Sequence, residues 1–537
     1  MWAVVQEPCD RNIIESKPVS TPCSKSVGRW VLTATILASS MAFIDGTVVN
    51  VALPALQSGM NATVVDVQWV IEAYSLLLSA LLLIGGALGD HYGRRRVFLI
   101  GIGLFAAASG ACGCAANIHQ LIAARGFQGV GAALLVPGSL AIISSSFRPE
   151  ERGRAIGIWS GTTAITTALG PLLGGWLIEH ISWRAAFFIN LPLALGVVFL
   201  ALRYVEESSD TNTGQLDWWG SLLASIGLGA LIYGLVESSR FGFANPLIIT
   251  ILVAALVIIV VFLLFEARAP NPILPLPLFR SRIFAGANLL TFLLYASLGG
   301  ALFFLPLNLI QVQHYSAAAA GAAMLPFILI ISLLSRWSGS IVTKHGAKLP
   351  LIIGPSIAVL GYLLLAWSDV GGVYWNTFFL PITVLGLGMA ISVAPLTTTV
   401  MGSVAENRVG VASGVNNAVA RTAGLIAIAV LGIVMLHLFD RQLGRQLAES
   451  KLPKTVAESL LAQHIKLAAI PLPQSESWQT QQVIRHAIQE SFLFGFRAVS
   501  VICALLAALA AASAWTFLGA ASSSAALRNR QAIVEQN

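Results

Sequence analysis

The chain has 537 residues, of which 56% are apolar and only 10% charged, against about 25% charged in ordinary soluble domains. A soluble protein of this length could not cover its surface with so little charge, and one or two anchoring helices would leave most apolar residues stranded. Fourteen spans of roughly 21 residues would take up about 55% of the chain, so the composition describes a polytopic membrane protein and excludes a secreted, nucleic-acid-binding or soluble catalytic domain.

Residues 1–27 form a polar tail without the apolar stretch of a cleaved signal peptide. Apolar runs then follow near 30–53, 66–88, 97–116, 120–144, 155–178, 186–204, 218–236, 245–265, 283–308, 318–335, 349–367, 376–401, 410–436 and 492–518. With the N-terminus inside, the cytoplasmic segments collect twenty of the 31 Lys and Arg residues, and the short external loops hold only Arg184 and Arg240. The net charge of +7 therefore reads as positive-inside orientation rather than as a nucleic-acid surface. Both termini fall on the cytoplasmic side. The five cysteines, Cys9, Cys23, Cys112, Cys114 and Cys503, form neither a disulfide framework nor a zinc pattern. Segment 437–491 is too polar to span, yet Phe439, Leu443 and Leu447, then Val456, Leu460 and Leu461, recur at helical spacing. That pattern predicts an external amphipathic helical hairpin with Pro471 and Pro473 in its turn region.

The chain repeats itself. Gly86-Ala-Leu-Gly-Asp90-His-Tyr-Gly93 follows the second span, and Gly339-Ser-Ile-Val-Thr343-Lys-His-Gly346 follows the tenth, 253 residues later. Pro137 and Gly157 match Pro395 and Gly414 at offsets of 258 and 257. Two six-helix halves with two inserted helices account for these offsets. Bundles over 28–204 and 283–518 would flank a linker over 205–282 that carries spans 218–236 and 245–265, with tails at 1–27 and 519–537. A repeat of this kind places a transporter's substrate site between the halves near mid-membrane.

Four motifs stand in order along the first half. Span 1 ends in Ile44-Asp45-Gly-Thr47-Val48-Val49-Asn50-Val-Ala52-Leu53-Pro54, and the loop after span 2 reads Gly86-x-Leu88-Gly-Asp90-x₂-Gly93-Arg94-Arg95-Arg96. Span 4 opens Leu121-x₃-Arg125-x₂-Gln128-Gly129-x-Gly131, and span 5 holds Gly161-x₈-Gly170-Pro171-x₂-Gly174-Gly175. Together they resemble the major facilitator superfamily, in particular its fourteen-span drug:proton antiporter branch, from span 1 through Phe492-x₂-Gly495-Phe496 in the last. Ile44 stands where that branch usually has leucine. The resemblance implies the major facilitator fold, all-α, and antiport that exports cargo.

Three charges lie inside predicted spans at similar depth, roughly 8–14 Å from the outer surface at about 1.5 Å per residue: Asp45, Glu72 and Arg125. An ionised group at a helix centre costs on the order of 3 kcal/mol, so these are candidates for proton coupling. The alternative is a static ion pair holding helices together. For Arg125, the coupling role is also what the span-4 motif implies. Gly86, Asp90, Gly93 and Arg94 suit a conformational latch: the glycines allow close backbone approach, while Asp90 can cap a helix or pair with Arg94. The resemblance implies that this contact shuts the cytoplasmic side. Pro171 removes a helical hydrogen bond from span 5 and is expected to kink it with Gly170; Gly174 and Gly175 permit close packing. Asn50, Trp69, Tyr74, Gln128 and Arg421 are candidates for the substrate cavity. The aromatics Phe43, Trp69, Tyr74 and Tyr295 would also serve as packing or interface anchors.

No G-x₄-GK[ST] motif supplies ATP, and no G-x-S-x-G elbow supports a hydrolase. The expected protein is thus no enzyme and needs no cofactor or metal. It is expected to be a multi-pass protein of a bacterial inner membrane that uses the proton gradient to export small amphipathic or lipophilic compounds. Its partners would be cargo, protons, the bilayer and, at 437–491, a candidate periplasmic adaptor. The rival readings are export of an endogenous metabolite or lipid-like compound, and a membrane sensor that binds ligand without moving it.

Overall fold

A computed structural model describes residues 25–209, 217–270, 272–404, 409–450 and 452–518. Both predicted tails fall almost wholly outside the described residues, as do Cys9 and Cys23. The described residues are all-α. In chain order the helices are α1 (Lys25–Gly59), α2 (Val64–Tyr92), α3 (Arg94–Cys114), α4 (Ile118–Ser146), α5 (Pro149–His180), α6 (Ala185–Phe188) and α7 (Asn190–Tyr204). The inserted pair is α8 (Trp218–Phe241) and α9 (Pro246–Glu266). Next come α10 (Arg282–Leu307), α11 (Ala317–Ala323), α12 (Leu325–His345), α13 (Lys348–Ala366), α14 (Tyr374–Thr377) and α15 (Phe379–Gly402). The last three are α16 (Val409–Glu449), α17 (Lys454–Leu461) and α18 (Trp478–Phe517).

Thirteen helical stretches among the described residues are long and apolar enough to cross a membrane. The expected span at 155–178 is not among them. It lies on α5, whose 32 residues are ample in length but include Ser160, Thr162, Thr163, Thr166 and Thr167, which dilute its apolar character. Predicted span 6 is served by α6 and α7 in succession. Predicted span 9 is extended by a π-helical turn over Asn308–Val312. Only 11% of the apolar window of α9 is buried.

The expected hairpin at 437–491 takes a different form. α16 continues unbroken to Glu449 and α18 starts at Trp478, so the arms of the hairpin are extensions of the spans on either side. Phe439, Leu443 and Leu447 are buried along α16, and Leu460 is buried on the short cross-piece α17. The amphipathic spacing was real, but periodicity alone does not mark where a membrane helix leaves the bilayer.

The chain divides into two compact units. The first contains α1 up to Ala52, α2 from Trp69, α3 to α7 and the start of α8. Its core joins Met41 of α1, Tyr74 of α2, Phe98, Ile102 and Phe105 of α3, Leu135 and Ile142 of α4, and Val197 and Ala201 of α7. The second contains the rest of α8, α9, α10 to α18 and the tip joining α1 to α2, residues 53–68. In its interior the Tyr362 hydroxyl donates to Ser297 Oγ at 3.2 Å, and Thr291 Oγ1 donates to Asn416 Oδ1 at 2.6 Å. The tip is tied into this unit by three amides or carboxylates. Gln57 Nε2 donates to the Lys466 carbonyl at 2.8 Å, Gln68 Nε2 to the Ile428 carbonyl at 3.1 Å, and Arg240 to Asp66 at 2.8 Å.

Gly93 and Gly346, equivalent positions of the sequence repeat, both take positive φ, 106° and 78°. A residue with a Cβ pays a steric penalty in that region, which explains why glycine recurs at this point of both halves.

Candidate functional site

The first unit encloses a buried polar centre drawn from six of its helices. Asp45 of α1 and Arg125 of α4 are each 1% exposed and form an ion pair. Arg125 Nη1 also donates to Gln128 Oε1 at 2.7 Å, and Arg125 Nε donates to the Val70 carbonyl of α2 at 2.9 Å. Its guanidinium lies 4.2 Å from the centroid of the Tyr74 ring, a cation–π contact strengthened by desolvation. The Tyr74 hydroxyl donates to the Ala42 carbonyl at 3.1 Å. The second Asp45 oxygen accepts from Gln128 Nε2 at 2.8 Å and from Asn190 Nδ2 of α7 at 3.2 Å. Ser109 of α3 accepts from Asn190 at 3.0 Å and donates to the Phe187 carbonyl at 2.8 Å. Every partner holds its neighbour in orientation. A buried pair persists only when its remaining donors and acceptors are satisfied in this way.

Equal depth in the sequence brought Asp45, Glu72 and Arg125 to one level. The structure pairs Arg125 with Asp45 and leaves Glu72 out. Glu72 is fully buried, and neither of its carboxyl oxygens has a hydrogen-bond partner among the described residues. Gln128 and Tyr74, candidates for the cavity, are committed to the ion-pair centre. Asn50, Trp69 and Arg421 are half-buried, and Asn50 Nδ2 reaches the Gly46 carbonyl at 3.4 Å. Ser109 and Asn190 were missed by sequence reasoning. Asn190, a lone amide opening the apolar run at 186–204, was the available signal.

At the other end of α2, Asp90 Oδ1 accepts from Arg94 Nε at 2.8 Å and Nη2 at 2.7 Å. The cap of α3 is supplied by Glu207, whose oxygens accept from the backbone N–H groups of Arg95 and Arg96 at 3.0 and 3.1 Å. A carboxylate there satisfies orphan donors and faces the positive end of the helix dipole. Of the two roles open to Asp90, the structure has it paired with Arg94. The adjacent acids Glu206 and Glu207, just beyond a span, were the signal for the missing cap.

In α5 the helix runs on through Pro171. Pro171 deprives the Thr167 carbonyl of its helical partner, and Thr47 Oγ1 of α1 lies 3.2 Å from that oxygen. Gly174 meets α1 closely: a Cβ there would lie 2.9 Å from Val48 Cγ1. The motif residues of spans 1 and 5 thus form one helix–helix seam.

An all-α fold of two helical units, the first of which encloses a buried ion pair in its spanning helices, is that of a membrane transporter. The Major Facilitator Superfamily profile matches residues 35–222 and again 218–429, two matches in tandem. The chain belongs to this superfamily, and to its drug-efflux type. It is 34% identical to multidrug resistance protein Stp of Mycobacterium tuberculosis over 90% of this chain and 91% of that protein. It is 30% identical to the tetracenomycin C resistance and export protein of Streptomyces glaucescens, covering 92% and 93%. Against the puromycin resistance protein pur8 of Streptomyces alboniger the identity is 35%, covering 75% and 81%. Among solved structures, a bacterial homologue of the human lysosomal transporter Spinster superposes with TM-score 0.62 at 18% identity, covering 92% of this chain and 98% of that one.

Proposed function

We propose that this chain is a proton-coupled antiporter that exports small amphipathic or lipophilic compounds across a bacterial cytoplasmic membrane by alternating access. The observation that carries the reading is the Asp45–Arg125 pair, buried at 1% exposure in the membrane-spanning core. Intramembrane charges of this kind mark proton and substrate pathways by default. Protonating Asp45 would remove one partner and free Arg125, which also holds the Val70 carbonyl. A single proton would thereby be felt by α1, α2 and α4 together. The proton gradient is the energy source, worth about 2.3 kcal/mol per 100 mV for each charge moved inward. Relatives named for resistance to puromycin, tetracenomycin C and several drugs favour drug-like cargo over an endogenous metabolite.

Asp45→Asn imitates the protonated state permanently. In proteoliposomes it should abolish uphill export while downhill exchange persists, and purified protein should no longer release protons when cargo is added. The assay panel is puromycin and tetracenomycin C, chosen first by growth protection in an efflux-deficient host. Uphill export by Asp45→Asn at wild-type rates would remove Asp45 from the coupling step.

The junction of α2 and α3, from Gly86 to Arg94 with only Gly93 outside a helix, is the conformational latch of this reading. Asp90→Asn retains the side-chain shape but breaks the pair with Arg94. Transport turnover should fall several-fold at equal expression, with equilibrium binding of cargo unchanged; unaltered turnover would exclude the latch.

A further inference from the structure

We propose that Glu72 is a second proton-binding carboxyl of this transporter, loaded in the conformation described while Asp45 stands in its ionised, paired form. The inference rests on the antiport reading. It extends that reading by assigning opposite charge states to the two acids of the outer cluster.

Glu72 is fully buried, and among the described residues both of its oxygens lack a hydrogen-bond partner. Arg125, which reaches the same helix at Val70, is held by Asp45, Gln128 and the Val70 carbonyl. Toward the start of α2, Asp66 is paired with Arg240. Along α2 itself, Asp66 is further engaged by Thr63, and the Tyr74 hydroxyl is spent on the Ala42 carbonyl. An isolated ionised carboxylate in such surroundings is far less favourable than the neutral acid, and such groups neutralise instead. Glu72 therefore carries a proton here.

That proton satisfies no acceptor in the fold. A structural acid would be bonded, since an unmade buried hydrogen bond is itself unfavourable. One turn earlier on the same face of α2, Gln68 turns its amide nitrogen to Ile428 and leaves Oε1 buried without a partner. Asp45 offers the contrast: both of its oxygens are occupied by Arg125, Gln128 and Asn190. No covalent step is involved; the proton is taken from water on one side and returned to water on the other.

The test is infrared spectroscopy on the purified, cargo-free full chain. At neutral pH the wild type should show the carbonyl stretch of a protonated, weakly bonded carboxylic acid, and raising the pH should remove it below the pH of unfolding. Glu72→Gln should reduce that band to background, Asp45→Asn should leave it, and Glu72→Asp should displace it. A wild-type spectrum without the band, a band that survives in Glu72→Gln, or one that persists up to unfolding would each overturn the proposal. Should Glu72→Gln fail to fold, Glu72→Asp decides: a displaced band supports the assignment, and an unmoved band overturns it. The measurement needs neither cargo nor gradient, so its failure is distinguishable from failure of the antiport reading, which shows only in transport.

Discussion

Replacing Arg125 with glutamine should destabilise the protein by on the order of 3–5 kcal/mol, the usual effect of removing one partner of a buried pair, and should abolish transport. The carboxylate of Asp45 would be left in a site where it is 1% exposed, with only Gln128 Nε2 and Asn190 Nδ2 as donors. The Val70 carbonyl and the face of the Tyr74 ring would lose their partner as well. Neutralising both members, Asp45→Asn with Arg125→Gln, should restore much of the stability, because two neutral hydrogen-bonding groups need no buried charge balance. Transport should stay absent. Thermal unfolding in detergent and gradient-driven export in vesicles check the two halves of this expectation. A double variant as unstable as Arg125→Gln alone would show that something other than stranded charge is responsible.

The same centre shows what could be read from the sequence and what could not. Apolar run length located thirteen of the fourteen expected spans, and two segments matching at an offset of 253 pointed to the repeat, because both signals are local or periodic. Counting residues from a helix end also brought Asp45, Glu72 and Arg125 to one depth. Depth, however, does not fix which way each helix is turned about its axis. That rotation aims Asp45 at Arg125 and leaves Glu72 unpaired, and it is set by packing across helices distant in the chain. Asn190, 145 residues from the aspartate it serves, belongs to the same class of information. So does Glu207, which caps a helix starting more than a hundred residues earlier.

The motif in span 5 was legible as a pattern but not as a contact. Its proline suggested a kink, whereas the structure places a partner opposite the damage: Thr47 Oγ1 stands beside the Thr167 carbonyl that Pro171 cannot serve. Membrane helices tolerate proline where a neighbouring side chain re-satisfies the freed group. The signature of span 1 and the glycines of span 5 thus constrain each other. Neither can change alone without disturbing the seam.

Gly170→Ala should therefore be damaging, because the added methyl enters this seam. A Cβ at 170 would overlap Thr47 Oγ1 and lie 3.4 Å from the Ile44 carbonyl, one residue before Asp45. Forcing volume into such a contact typically destabilises by about 1–3 kcal/mol, and a shift of α1 would also displace Asp45 from Arg125, so uphill export should be lost. Gly157 lies on the same helix with nothing within 4 Å of its Cβ position. Gly157→Ala should be neutral or stabilising by up to about 1 kcal/mol on helix propensity alone. Thermal unfolding of the two variants side by side separates contact from propensity. Adding Thr47→Ala to Gly170→Ala removes the colliding hydroxyl and should recover folding in part. It leaves the Thr167 carbonyl bare, a deficit of about 1–3 kcal/mol for an unsatisfied buried acceptor, so recovery should stop short of wild type. Full recovery would mean that Thr47 contributes bulk rather than a hydrogen bond, and no recovery would mean that the seam between α1 and α5 fails elsewhere than at this hydroxyl.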